Sequence, residues 1–229
     1  MSSTPHIRPY SPTTDRSSID HIFRETCDAS LKTEPLWTIT SFLWCHPYPI
    51  LSPSTCFVLD DGKGTAVGYI LGTPDTARFN EDWKSIYVPQ LDKTLLPPPG
   101  TAEDNQRAQG NDQAADLLDK MYNDSASLLN SHFPGLWQDY PGHLHIDILP
   151  KHHRQGWGKR LIETFLQALK GEDCKAVHLG MVEGSDSASK FYQALGFTRF
   201  PVILDGGQSG ELGRTGGEDN GVVYLVKKI

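Results

Sequence analysis

In the second half of the chain, the spacing of apolar residues alternates between a period of two, typical of strands, and a period of about 3.6, typical of helices. The segments that alternate as strands are His143 to Leu149 and Ala176 to Val182, and each is followed by a segment with helical spacing, Gly158 to Lys170 and Ser187 to Leu195. Gly196 ends the second helix. Phe197 to Leu204 and Val222 to Val226 are expected to be closing strands. Strands that alternate with helices predict an α/β fold with at least one parallel pair.

The first half of the chain has a weaker pattern. We predict a short strand from His6 to Tyr10, and a helix capped by Ser17 and Ser18 that buries its first apolar residues. The segment from Leu36 to Pro53 mixes aromatic residues with prolines and is expected to be irregular. The clearest hairpin consists of two β-rich runs, Thr55 to Leu59 and Ala66 to Leu71, joined by an Asp-Gly-rich turn.

Two long polar segments interrupt this pattern. Residues 95–114 contain three consecutive prolines and a glycine before a polar run, and residues 206–221 are rich in glycine. Helical spacing resumes between them, at Leu117, Leu118, Met121 and Tyr122. We therefore expect residues 1–229 to form a single domain with mobile insertions near 95–114 and 206–221.

Size and charge narrow the function. The chain has 229 residues, 38% of them hydrophobic, which suits one sizeable core. Its formal net charge of -7 argues against nucleic acid or an anionic membrane as a partner, and it suits a cationic acceptor such as an amine. The oligomeric state stays open, with a homodimer among the options.

The four cysteines, Cys27, Cys45, Cys56 and Cys174, form no C-x-x-C pair. Such spacing is typical of reduced thiols inside the cell. The first ten residues lack the apolar run of a signal peptide. We expect a cytoplasmic location, with the nucleus as an alternative.

The most informative segment lies between the His143 strand and the next helix and reads LPKHHRQGWGKR from Leu149 to Arg160. Its glycines let the backbone approach a ligand closely. The first amides of a helix have no partners within the helix, so with the helix dipole they favour an anion. Four cationic side chains are concentrated here in an acidic chain. The segment therefore predicts a phosphate or diphosphate site.

Two common nucleotide motifs do not fit this segment. A dinucleotide fingerprint would need a glycine where Leu161 stands, and a Walker loop would need glycine at His153 and Ser or Thr at Arg160. The pattern [QR]-x-x-G-x-[GA] fits His153 to Gly158, except that His153 replaces the usual Gln or Arg.

A second motif follows in the same order as in one known superfamily. Ser185 to Phe197 (SDSASKFYQALGF) is similar to N-x-x-A-x-x-x-Y-x-x-x-G-F, with Ser185 in place of Asn. Together the two motifs resemble the GCN5-related N-acetyltransferase (GNAT) superfamily. The resemblance implies a mixed, strongly twisted sheet with helices on both faces, and acetyl-CoA as the acetyl donor. It also implies cofactor contacts from Ile148, Leu149, His153, Arg154, Gln155, Gly156, Trp157, Gly158, Lys159 and Ser185.

A narrower resemblance concerns two strands. HLHIDILP from His143 to Pro150, with VGYILGTPDT from Val67 to Thr76, is similar to the acetyltransferase-like domain of eukaryotic O-GlcNAcase and its free-standing microbial relatives. This kinship makes an amino sugar such as glucosamine the leading acceptor. A polyamine or another small amine comes next, followed by a protein lysine or N-terminus. A non-catalytic module that binds CoA or a partner is the alternative from another class.

Acetyl transfer to an amine needs a polarised carbonyl, a proton for the departing thiolate and a base for the amine. The resemblance assigns the thiolate proton to Tyr192 and the carbonyl contact to a backbone amide near Ile148 and Leu149. No Ser or Cys beside a base announces a covalent intermediate, so we expect direct transfer in a ternary complex.

The base is sought on the His143 strand. Alternation places Leu144, Ile146 and Ile148 on one face, and His143, His145 and Asp147 on the other. A polar face on a central strand is costly unless it is paired or wet, so we expect it to line a cleft. Asp147 holds the substrate ammonium or accepts its proton, and His145 is the alternative base. The same face has the geometry of a zinc site, but the cofactor loop already explains the strand and we predict no metal.

Further acceptor contacts are expected from Asp75, at the end of the hairpin strand, and from His143. Asp75 has the alternative role of stabilising its own turn. Trp83, Tyr48 and Trp44 form a candidate aromatic wall, which would suit sugar rings or cations. Core packing is the alternative for each of these three residues.

Overall fold

The computed structural model describes residues 4–103, 110–131, 133, 135–182, 186–200 and 222–229. Its strands are β1 (His6–Pro9), β2 (Phe57–Asp60), β3 (Ala66–Thr73), β4 (Gly142–Ile148), β5 (Ala176–Val182), β6 (Thr198–Arg199) and β7 (Val222–Lys228). All seven belong to one sheet with the order β1-β2-β3-β4-β5-β7-β6. The pair β4/β5 is parallel and the other pairs are antiparallel. The predicted mixed α/β sheet is confirmed.

Helices cover both faces of this sheet. Among the described residues they are α1 (Arg16–Thr26), α2 (Leu36–Trp44), α3 (Pro47–Leu51), α4 (Thr76–Asp82), α5 (Asp112–Asn123), α6 (Ser125–Leu128), α7 (Leu136–Asp139), α8 (Trp157–Gly171) and α9 (Asp186–Ala194). A π-helical turn, Trp83–Tyr87, continues α4. Apolar residues of α1 to α5 form a core with one face of the sheet, and α8 covers the other face.

The strands alternate between these two cores as a period of two requires. In β3, Tyr69 and Leu71 belong to the core under α1 to α5, and Ile70 belongs to the core under α8. In β4, Leu144 is buried on the α8 side. The polar positions of β4 therefore lie on the face opposite Leu144, as the alternation predicted, and that face is covered by α1 to α5.

The segment from Leu36 to Pro53 is not irregular, so that prediction was wrong. It forms α2 and α3, and α2 buries Leu36, Thr38, Ile39, Thr40, Ser41 and Leu43. A helix that is buried on most sides shows little amphipathic contrast, so its sequence lacks the usual signal.

The predicted cap of α1 was also wrong. The helix begins at Arg16, with Asp15 as the preceding residue, so Ser17 and Ser18 lie inside its first turn. Asp15 makes no side-chain cap; its carboxylate accepts hydrogen bonds from the Arg8 guanidinium at 2.6 and 2.8 Å.

The two predicted insertions lie partly or wholly outside the residues that the structure describes. Residues 104–109, 201–204 and 206–221 lie outside the described residues, and so does Ser185. In the described part of the first insertion, Leu96 is fully buried and its carbonyl accepts a hydrogen bond from Tyr122. Among the residues that the structure does describe, none forms a helix of the length and apolar character needed to cross a membrane.

Candidate active site

The strands β4 and β5 separate after a short parallel contact. Only Gly142 with Val177 and His143 with His178 are paired, although both strands continue for several residues. A cavity opens beside this separation on the side of α2 and α3. Its described lining consists of Leu43, Trp44, Tyr48, Trp83, Leu128, Leu129, Asn130, His143, Leu144, His145, His178, Leu179, Gly180 and Tyr224.

The glycine loop leads from β4 into α8. Arg154 and Gly156 both have left-handed backbone conformations, with φ of 59° and 82°. The first helical bond from this loop runs from the Arg160 amide to the Gly156 carbonyl at 3.2 Å, and no side chain caps the helix. The amides of Trp157, Gly158 and Lys159 precede that bond. They are therefore the unpaired donors that an anion would need.

An aromatic ring and several cationic side chains border the loop. A Cβ built on Gly158 would lie 3.1 Å from the Phe191 ring, so a larger residue would require that ring to shift by a few tenths of an ångström. Lys151, Arg154, Lys159 and Arg160 are exposed, and the Arg160 guanidinium lies 4.7 Å from the centre of the Trp157 ring. The loop thus combines amides without helical partners and exposed positive charge, the two features that an anion site needs.

At the end of β4, the amides of Ile148 and Leu149, the two candidates for the contact with the acetyl carbonyl, point in different directions. The Leu149 amide donates to the Val67 carbonyl at 2.9 Å, so it belongs to the ladder with β3. Successive amides of a strand point in opposite directions, so the Ile148 amide points toward the β4–β5 gap. The Ile148 carbonyl is bonded to Nε2 of His153 at 2.6 Å. His153 therefore organises the loop through the backbone of β4.

The polar face of β4 meets Tyr48 of α3. The Tyr48 hydroxyl lies 2.8 Å from Nε2 of His143 and 2.9 Å from Nε2 of His145. Burial and, to a smaller extent, the neighbouring His178 together lower the pKa of His145 to about 4. Burial also lowers the pKa of His143 well below its usual value. These imidazoles are thus neutral at physiological pH.

Asp147 lies farther along the same face, between β4 and α1. Its Oδ2 accepts a hydrogen bond from the Tyr69 hydroxyl at 2.6 Å. Burial raises the pKa of Asp147 to about 6, although the hydroxyls of Tyr69 and Thr26 oppose this shift. Asp147 is therefore a carboxylate at pH 7 with a basicity close to that pH, which suits a proton acceptor.

The raised pKa predicts a pH-dependent gain of stability in an Asp147→Asn variant. Below about pH 4 the carboxyl is protonated in the folded and the unfolded chain, and the fold carries no penalty. Above about pH 6 the folded chain must hold a half-buried charge. The variant should thus be more stable than the native protein at pH 7.5, on the order of 2 kcal/mol, with little gain at pH 3.5.

Urea unfolding at both pH values measures this difference. Asp119→Asn, at an exposed position of α5, is the control and should show no such pH-dependent gain. An equal stability change for Asp147→Asn at both pH values would contradict the assignment.

The remaining acceptor candidates lie in different places. Trp83 is 1% exposed, lines the cavity and donates to the Met121 carbonyl at 2.9 Å, so it combines a lining position with core packing. Trp44 and Tyr48 also line the cavity. Asp75 is exposed and does not belong to the described lining; its carboxylate caps α4 by accepting from the Arg78 amide at 3.0 Å. That is the turn-stabilising role given as its alternative.

Tyr192 lies in α9, half-buried on the α8 side of the sheet. Its ring centre is 5.1 Å from that of Phe191 and 5.6 Å from that of Phe197. Phe191, the preceding residue, borders Gly158, and Tyr192 packs against the same core as Trp157 at the beginning of α8. The structure thus places the tyrosine and the glycine loop on one side of the sheet, and the histidine face on the other.

Three polar residues of this region were missed by sequence reasoning. His178 lines the cavity from β5, Thr76 hydrogen-bonds His143, and Tyr69 hydrogen-bonds Asp147. His178 had a usable signal, because it alternates with the apolar Val177 and Leu179 as the histidines of β4 do. Within the described part of the chain, no cluster of three or more His, Cys, Asp or Glu side chains is arranged to hold a metal ion.

Comparison with known proteins agrees with this geometry. Residues 130–199 match the family described as an acetyltransferase (GNAT) domain. The crystal structure of SsHAT is 32% identical, with 98% of each chain covered and a TM-score of 0.76. The chain belongs to the GNAT acetyltransferase family. It is an acetyltransferase, and acetyl-CoA is its acetyl donor.

More distant structures share the fold. An agmatine N-acetyltransferase is 15% identical with a TM-score of 0.55, and the match covers 98% of this chain and 99% of that one. A phosphinothricin acetyltransferase from Sinorhizobium meliloti, in complex with acetyl-CoA, is 13% identical with a TM-score of 0.55 and coverage of 99% and 89%. At these identities the similarity concerns the fold alone.

Proposed function

We propose that the protein transfers an acetyl group from acetyl-CoA directly to the primary amine of a small molecule, with both bound at once. The observation that carries this proposal is the separation of β4 from β5. It joins the glycine loop on one side of the sheet to a cavity with polar side chains on the other. A donor and an acceptor entering from opposite sides would meet between the strands.

The donor would be held by the beginning of α8. The amides of Trp157, Gly158 and Lys159 would bind the diphosphate, with Arg154 and Gln155 at the rim of the loop. His153 would support the loop through the Ile148 carbonyl. The donor supplies the acetyl group as an activated thioester. We also propose a contact from Ser185.

Residues from both faces of the sheet would act on the thioester and the amine. The Ile148 amide would polarise the acetyl carbonyl, because it points into the gap while the Leu149 amide is held by β3. Tyr192 would give a proton to the departing sulfur. Asp147 or His145 would accept the proton of the amine.

The acceptor that we propose first is an amino sugar such as glucosamine. The described lining of the cavity contains histidine, tyrosine and tryptophan side chains but no Asp or Glu. Neutral imidazoles hydrogen-bond hydroxyl groups, and tryptophan rings suit the apolar face of a sugar. A polyamine carries a second ammonium that would need a carboxylate, so it comes second, ahead of a protein lysine or N-terminus.

Two broader proposals accompany this one. The motifs from His143 to Pro150 and from Val67 to Thr76 support a place in the branch similar to the O-GlcNAcase acetyltransferase-like domain. The four cysteines are unpaired thiols, which supports a cytoplasmic location.

Steady-state turnover with a panel of acceptors tests the proposed function. Glucosamine, spermidine, agmatine and a lysine-containing peptide would be compared at equal concentration with acetyl-CoA, and released thiol would be measured. We expect the highest kcat/KM with glucosamine. Spermidine or the peptide as the best acceptor would overturn the amino-sugar proposal, and no turnover of any amine would overturn the small-amine proposal as a whole.

A further inference from the structure

An unbroken series of hydrogen bonds joins the polar face of β4 to two neighbouring elements. The Thr76 hydroxyl donates to the Pro141 carbonyl at 2.6 Å and lies 2.8 Å from Nδ1 of His143. Nε2 of His143 lies 2.8 Å from the Tyr48 hydroxyl, which lies 2.9 Å from Nε2 of His145. Thr76, His143 and Tyr48 are all buried.

The chemistry of these groups fixes the direction of every proton in the series. A carbonyl only accepts, so the single hydroxyl proton of Thr76 is used on Pro141. Nδ1 of His143 must then donate to the Thr76 oxygen. Because the imidazole is neutral, Nε2 of His143 is an acceptor and receives the proton of the Tyr48 hydroxyl. The Tyr48 oxygen has no further proton to give, so Nε2 of His145 must donate to it.

The remaining nitrogen of His145 is therefore Nδ1, with a free lone pair. Among the described residues no hydrogen bond occupies this atom, and His145 lines the cavity beside the gap between β4 and β5. A neutral imidazole with one nitrogen fixed as a donor has its other nitrogen available to accept a proton.

We propose that His145 is the base for the acceptor amine, and that Thr76, His143 and Tyr48 are positioning residues that fix its tautomer. This inference rests on the proposed function and decides between the two candidate bases. Asp147 lies outside the described lining of the cavity, and its carboxylate is engaged by Tyr69, so it does not take the proton of the amine.

The transfer step balances with these residues. The acceptor ammonium first gives one proton to Nδ1 of His145, which frees the nitrogen lone pair. The lone pair forms a bond to the acetyl carbon, the carbon–sulfur bond breaks, and the sulfur takes a proton from Tyr192. The second proton that the nitrogen loses goes to solvent. After the product leaves, solvent exchange returns His145 and Tyr192 to their initial forms.

His178 is the rival base within the same cavity. Its Nδ1 is bonded to the Tyr140 carbonyl at 2.7 Å and must donate, so Nε2 of the neutral ring is an acceptor, and no hydrogen bond from the described residues occupies it. It lies at the last paired position of β5, before the strands separate. His145 lies two residues beyond the paired His143 on β4, where the gap has opened. We therefore assign proton removal to His145.

Long-range 1H–15N spectra of the imidazole rings test the tautomers in the native protein. The chain has nine histidines, and a His145→Gln variant identifies the signal of His145 by its loss. We expect His145 to be protonated at Nε2 alone and His143 at Nδ1 alone. A spectrum with His145 protonated at Nδ1 would overturn the proposal, because its base would then be blocked.

Turnover of the variants tests the role of the series. His145→Gln should lower kcat roughly a hundredfold, which is the low end of general-base effects because the pKa of this imidazole is far below pH 7. Tyr48→Phe and Thr76→Val should each lower kcat at least tenfold and abolish the single tautomer of His145, with the KM for acetyl-CoA unchanged. Thr76→Ser keeps the hydroxyl and should stay within threefold of the native rate.

Three controls separate this inference from the proposed function. His178→Gln should change kcat less than His145→Gln; the reverse order would transfer the base to His178 and overturn the assignment. If Tyr48→Phe keeps both the native kcat and the His145 tautomer, the positioning series is wrong while the acetyltransfer stands. If the native protein acetylates no amine, both proposals fail. Melting temperatures, with acetyl-CoA present and absent, confirm that each variant is folded.

Discussion

Replacing Gly158 with aspartate should weaken acetyl-CoA binding by about a thousandfold, or about 4 kcal/mol. Two causes act together. The new Cβ would lie 3.1 Å from the Phe191 ring, which would have to shift by a few tenths of an ångström beside the loop. The new carboxylate would also occupy the position of the bound anion, and it would compete for the same free amides.

Gly171→Asp is a matched control for this variant. It makes the same substitution at the last residue of the same helix, where a Cβ would contact nothing within 4 Å. An acid at a helix C-terminus costs about 0.3–1 kcal/mol of stability and should leave acetyl-CoA binding unchanged. Isothermal titration calorimetry measures both affinities. Native affinity in Gly158→Asp would show that the donor binds elsewhere.

Replacing Tyr192 with phenylalanine should lower kcat by about a thousandfold, within the usual range for general acid–base catalysis. The ring would keep its packing against Phe191 and Phe197, so only the hydroxyl is lost. Without that proton the sulfur must leave as a thiolate. The affinity for acetyl-CoA should change little, because the phosphate contacts are made by the loop.

A comparison of thioester donors with different leaving thiols tests the role of Tyr192 more directly. A thioester whose thiol has a lower pKa needs less help from an acid, so the difference between native protein and variant should shrink with such a donor. Tyr10→Phe, which removes a hydroxyl from a half-buried tyrosine packed on the α1 side, is the control and should keep the native rate. A Tyr192→Phe variant with native kcat would mean that another group protonates the sulfur.

The sequence by itself determined the alternation of strands and helices in the second half, because each element there has one buried face. The helical apolar spacing of α8 and the alternation of β4 identified both elements and predicted which residues of β4 lie on each face of the sheet. The glycine loop was also readable, since its chemistry lies in the backbone and needs only a local run of residues.

Only the tertiary structure showed which residues surround the cavity proposed for the acceptor. Tyr48 lies 95 residues from His143 in the chain, and no local pattern signals that a hydroxyl of a short helix would bridge two histidines of a distant strand. The same holds for Thr76, and for α2, which is buried on so many sides that its sequence shows no helical face. The local spacing of apolar residues indicates which residues of an element are buried. Hydrogen bonds between distant segments depend instead on how the helices pack over the sheet.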